Sequence, residues 1–128
     1  MADPAFLLDA NICIYLLAGI SAEARRRVEA CRPGEVVTSA IAYAEVMRKV
    51  PASDPVKVAQ AEAIFSIVGV LSFDAAAARS YASIPFKRGT FDRLIAAHAM
   101  ALDLTLVTNN EQDFADVPAL KLENWTLP

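Results

Sequence analysis

Four acidic residues far apart in the chain, Asp9, Glu45, Asp92 and Asp113, stand where a carboxylate needs a reason. The chain has fifteen Asp and Glu in all, and most acids on a protein merely keep its surface hydrated. Asp9 directly follows Phe6, Leu7 and Leu8, and burial there would be costly unless a cation or donors met its charge. Glu45 interrupts the apolar run from Ile41 to Met47, and Asp92 opens a segment that continues Leu94-Ile95-Ala96-Ala97. Asp113 follows the polar stretch from Thr108 to Gln112, with Glu111 as its local competitor. Each has a plainer alternative: Asp9 and Asp113 as helix or turn caps, Asp92 as a charge at a helix dipole, Glu45 on an exposed stripe. If the four converge, they make a hard, all-oxygen site suited to Mg²⁺ or Mn²⁺ rather than to the cysteine and histidine ligands of tight zinc sites.

The elements that must position these acids alternate in type. Phe6 to Leu8 reads as a buried strand running into a helix through Ile12, Tyr15 and Leu16, which leaves Asp9 at the strand's carboxyl end. A second helix follows Ser21 and closes at Pro33-Gly34. Val36 to Thr38 is a short strand, and Ser39 caps a helix running to Pro51. Pro55 starts a helix with a core stripe of Val58, Ile64 and Ile67, followed by a strand at Val70-Leu71. Asp74 caps an alanine-rich helix ending near Pro85, and another helix follows Gly89 through Ala99. Leu104 to Val107 is an apolar strand, and residues 120–125 alternate like an edge strand. Strands interleaved with helices imply parallel crossovers and a sheet covered on both faces, an α/β sandwich. Its binding crevice lies beyond the carboxyl ends of the strands, beside Asp9 and residues 108–113. At 128 residues, a single domain over 1–128 is expected.

Composition removes several other chemistries. A net charge of -3 and the absence of a basic tract argue against holding long nucleic acid by charge alone. Cys13 and Cys31 are too few and too isolated for a disulfide scaffold, which fits a reducing, cytoplasmic setting. No signal peptide and no apolar run long enough to span a bilayer is visible. His98, the one histidine, lies almost two helical turns beyond Asp92 among small apolar residues and reads as a structural histidine with its hydrogen bonds satisfied rather than as a general base. Ser39, Thr108 and Cys13 lack the histidine partner of a nucleophilic triad. Arg48 and Lys49 near Glu45, and Lys87, Arg88 and Arg93 near Asp92, are candidate phosphate contacts or plain surface charge.

Taken together, Leu7-Leu8-Asp9-Ala10-Asn11, Ser39 to Glu45, Gly89 to His98, Leu106-Val107-Thr108-Asn109-Asn110 with Asp113-Phe114, and the ending Leu122-Glu123-Asn124-Trp125 resemble the PIN-domain ribonucleases, specifically the VapC-type toxins of VapBC toxin–antitoxin modules. The resemblance spans essentially the whole chain. It implies a three-layer α/β/α sandwich with a central, mainly parallel sheet, and Mg²⁺- or Mn²⁺-dependent cleavage of RNA. It matches Asp9, Glu45 and Asp92 to the family's principal acids and Asp113 to the more variable fourth. Asn11 and Thr108 match supporting polar positions, and Ala10 stands where a threonine is usual. A cognate VapB-like antitoxin, a homodimer and toxin–antitoxin hetero-oligomers are implied as well, with an apolar groove near the early helices to which Ile12, Tyr15, Leu16 and Leu17 contribute. A catalytically weak RNA- or antitoxin-binding module and a structure-specific DNA nuclease are the alternatives.

Overall fold

A computed structural model describes all 128 residues. In chain order the elements are β1 (Phe6–Leu8), α1 (Ala10–Ala18), α2 (Ala22–Ala30), β2 (Val36–Ser39), α3 (Ala40–Arg48), α4 (Pro55–Ile67), β3 (Gly69–Leu71), α5 (Ala75–Tyr81), α6 (Asp92–Ala101), β4 (Thr105–Val107), a short 3₁₀ helix (Glu111–Phe114) and β5 (Leu122–Glu123). Most helix starts follow the local chemistry of the sequence. The side chains of Ser21, Ser39, Asp54 and Asp74 accept hydrogen bonds from the backbone N–H of Ala24, Ile41, Lys57 and Ala77, satisfying donors that a helix's first turn leaves free.

The five strands form one sheet in the order β3-β2-β1-β4-β5, with every pairing parallel. β1 lies at the centre, with Leu8 opposite Thr38 on one side and Val107 on the other. The chain steps outward from β1 through β2 to β3, then returns across β1 to lay down β4. Right-handed crossovers in opposite directions place helices on opposite faces, so the sheet is flanked on both sides and the direction reverses between β1 and β4. This is the α/β sandwich expected from the alternation of elements. α1 packs against α2, α3 and α4, while α5 packs against α6.

The core runs through Leu7, Leu8, Ile12, Val46, Ile95, Leu106, Val107 and Trp125, all essentially without solvent contact. Two expectations need correction. α4 buries Ala61 and Phe65, with Val68 just beyond its end, whereas Ile67, assigned above to the core stripe, is 67% exposed. The true stripe has the same helical spacing but begins with a small residue, and Ala61 carries little hydrophobic signal. The helix capped by Asp74 stops at Tyr81 rather than near Pro85, and α6 begins at Asp92, which leaves residues 82–91 as a connecting loop.

Candidate active site

At the end of β1 the backbone N–H of Asp9 donates to Val107 O at 3.0 Å, which ties the start of the crevice to β4. The Asp9 carboxylate Oδ1 accepts from the N–H of Ile12 at 2.9 Å and caps α1. Capping therefore coexists with any further role, since the second oxygen is left for other partners. Asp9 is only 4% exposed. Burial pushes its carboxyl up to about 6 against the relief given by the Thr108 hydroxyl and the Ile12 amide, and the charges of Asp92 and Glu45 push it further the same way. Beneath it, Thr38 donates its hydroxyl to Leu8 O at 2.7 Å and receives the Cys13 thiol at 3.7 Å, so the strand end rests on a buried polar stack.

Glu45 reaches the same region from α3. Its Oε1 is buried and has no hydrogen-bond partner. Burial, and then the Asp92 charge, raise its carboxyl, while Lys49 partly offsets them. Asp92 is the first residue of α6 and donates its backbone N–H to Thr90 Oγ1 at 3.0 Å. The three acids, drawn from β1, α3 and α6, thus lie within electrostatic reach of one another. They are not drawn tight, for no three His, Cys, Asp or Glu side chains are grouped closely enough to hold a metal ion as they stand. The donor set nevertheless fits a hard divalent ion: all oxygen, with one buried oxygen unsatisfied and two carboxyls raised.

Asp113 sits on the 3₁₀ helix, where Asn110 Nδ2 donates to it at 2.6 Å and Lys87 Nζ lies 3.4 Å away. With Lys87, Arg88, Thr90 and Asp92 it lines a cavity of about 110 Å³, so it neighbours Asp92 but is not among the charges that raise Asp9 or Glu45. Glu111 is exposed. Thr108 is buried beside Asp9 and accepts from the Asn110 amide at 3.1 Å, whereas Asn11 is exposed at the start of α1.

Arg93 is not the phosphate contact considered above. Its side chain is only 5% exposed. Nη1 donates to Pro85 O at 3.1 Å and to Asp116 Oδ2, and Nη2 donates to Asp113 O at 2.9 Å and to Asp116 Oδ1 at 2.8 Å. His98 is buried edge-on to Phe73, and its Nδ1 has no partner. Of the apolar residues expected to line a groove, Leu16 does so, in a cavity of about 880 Å³ shared with Val28, Ile64 and Leu71. Ile12 is core instead, and Tyr15 accepts from Asn109 Nδ2 at 2.9 Å. Phe86 and Phe91, which the sequence analysis does not single out, stand exposed on the loop leading into Asp92. Their signal, an aromatic at each end of Lys87-Arg88-Gly89-Thr90, was present but uninterpretable without knowing that neither ring is buried.

The PIN domain model matches residues 6–120. The chain is 32% identical to the tRNA(fMet)-specific endonuclease VapC of Shigella flexneri, over 94% of this chain and 98% of that protein. It is 30% identical to ribonuclease VapC2 of Rickettsia felis, over 94% and 97%. Among solved structures it resembles the Rickettsia felis VapBC2 complex bound to a DNA fragment from its promoter, with a TM-score of 0.83 at 27% identity over 94% of this chain and 98% of that one. DNA-bound VapBC of Salmonella typhimurium gives a TM-score of 0.84 at 27% identity, covering 95% and 98%. The central strand ending in a buried acid and the two further acids facing it therefore belong to a fold and sequence class already known for nucleases: the chain is a member of the PIN-domain family, of the VapC toxin type.

Proposed function

We propose that this nuclease is an endoribonuclease, with residues 1–128 acting as one domain and Asp9, Glu45 and Asp92 holding Mg²⁺ or Mn²⁺ against a phosphodiester. The observation that carries this reading is the buried, unpartnered Glu45 Oε1 facing two like-charged acids, an arrangement that is unfavourable until a cation enters. When bound, a divalent ion lowers the pKa of water and offsets charge on the phosphate. The protein's own contribution is positional. Asp9 is fixed by the α1 amide and the Thr108 hydroxyl, Glu45 orients water or ion from α3, and Asp92 faces both from α6. Asp113 supports the site from beside Asp92, and Asn11 supplies a polar group at the rim.

The named relatives make tRNA(fMet) the first RNA to test. The solved VapBC complexes make a VapB-like antitoxin the expected partner, with the groove around Leu16, Val28 and Ile64 as its seat. A homodimer, hetero-oligomers with the antitoxin and a cytoplasmic setting complete the proposal; no helix is long and apolar enough to cross a membrane. Incubating the purified chain with total RNA and with tRNA(fMet), plus Mg²⁺ or Mn²⁺, and mapping new ends tests the activity. Cleavage by the native chain that is lost in folded Asp9→Asn and Asp92→Asn variants is expected. Equal cleavage by those variants overturns the assignment.

A further inference from the structure

The loop between α5 and α6 exposes Phe86 to 74% and Phe91 to 58%. A single exposed aromatic needs no explanation, but burying a phenylalanine is worth about 1.5–3 kcal/mol, and here two within six residues forgo it while flanking Lys87 and Arg88. The loop is tied at its two ends. Its beginning is held where Arg93 Nη1 donates to Pro85 O at 3.1 Å, and its end where the Asp92 amide donates to Thr90 Oγ1 at 3.0 Å. Gly89 makes the turn between them at φ 85, a conformation that side-chain-bearing residues rarely adopt. Lys87, Arg88 and Asp92 line one small cavity, so the two cations share a surface with the acid, and the two exposed rings adjoin these residues in the chain.

Resting on the ribonuclease reading above, we infer that Phe86 and Phe91 are base-stacking platforms that grip unpaired RNA bases flanking the scissile phosphate, with Lys87 and Arg88 contacting the adjoining phosphates. Unpaired bases stack on aromatic faces in a sequence-tolerant way, and nearby cations hold the backbone that connects them. A protein with net charge -3 gains most from such a local grip, because its overall field repels the substrate. Lys87 is 3.4 Å from Asp113, both side chains being well exposed, a surface pair weak enough for an incoming phosphate to displace.

Two measurements test this. In the Asp9→Asn background, which keeps a capping oxygen for the Ile12 amide, F86W and F91W chains are titrated with a short unstructured oligouridylate at low salt. Stacking quenches the new indole, and inorganic polyphosphate, which has charge but no bases, does not; Trp125 is common to all variants and buried. Absence of RNA-specific quenching in both chains overturns the inference, whether or not the native protein cleaves RNA. In the active chain, F86A and F91A each raise KM by roughly fivefold to 150-fold, tyrosine or tryptophan restores it, and leucine does not. Cleavage with unchanged KM in the F86A/F91A double variant overturns the platform and leaves the ribonuclease reading standing. Loss of a native dimer in that double variant, read by sedimentation, assigns the rings to a contact between copies and likewise overturns it.

Discussion

The fold favours Asp9 in its neutral form, whereas the proposed cation site requires it as an anion, and these two demands pull in opposite directions. Its carboxyl is raised from 3.8 to about 6, so the metal-free folded state carries a penalty of at most ~3 kcal/mol when Asp9 is ionised. The penalty is present above about pH 6 and disappears as pH falls toward the unfolded value. Metal-free protein is therefore expected to melt higher near pH 5 than near pH 7.5, with Glu45 acting in the same direction. Below that range the trend turns, because Asp116 is held low by Arg93 and loses its pairing when protonated. Metal affinity and cleavage run the other way and fall as pH drops through about 6, which a pH–rate profile reads. Asp9→Asn is expected to abolish cleavage yet to stabilise the metal-free protein by up to ~3 kcal/mol at pH 7.5, which urea unfolding checks. Asp9 was legible in the sequence because an acid directly after three apolar strand residues has few quiet explanations. Arg93 was not, since a guanidinium that grips phosphate and one that grips carbonyl oxygens are the same residue in a sequence.

At the scale of elements, α6 carries much of the site's geometry from its first turn. Asp92 projects from the helix start, and Arg93, the next residue, fastens Pro85, Asp113 and Asp116. Truncating Arg93 to alanine leaves two carbonyl oxygens and a carboxylate without a donor and is expected to cost about 2–4 kcal/mol. Lysine restores little, because one ammonium cannot serve both oxygens of Asp116 in a planar fork. Thermal melts of the two variants check this, and a rise in KM beyond the stability loss reports loosening of the 85–91 loop. Helix starts were readable because Ser21, Ser39 and Asp74 are capping residues; Asp54 is one too, although Pro55 drew attention first. Helix ends and packing faces were less so. α4 presents Ala61 and Phe65 inward while Ile67 stays outside, a choice made by the sheet it leans on and not legible in the helix alone.

At the scale of the whole molecule, three acids separated by 36 and 47 residues approach one another only because the central strand has neighbours from both halves of the chain. Alternating elements announced a parallel sheet, but strand order is a non-local property, and no short segment of the sequence encodes that β4 and not β3 lies beside β1. Because the acids repel across this junction, a divalent ion at a hundred times its Kd is expected to raise global stability by about 2.7 kcal/mol. Calorimetry with and without Mg²⁺ reads the gain, which is lost in Asp9→Asn. The far edge is secured by Trp125, stacked edge-on with Phe6 at 4.9 Å, donating to Glu123 at 2.9 Å and covered by Arg27. Trp125→Ala is expected to cost about 3–5 kcal/mol and to fray β5 first, seen as early amide exchange at Leu122 and Glu123.

The placement of β1 between β2 and β4 also sets a clock. β1 is the first of the five strands in chain order, yet its second flank, Thr105–Val107, follows both β2 and β3. Until then Asp9 has no Val107 carbonyl to anchor its amide and no Thr108 beside it. The buried acid is therefore fully framed only when β4 pairs with β1, so the order of strand pairing during folding decides when the site forms.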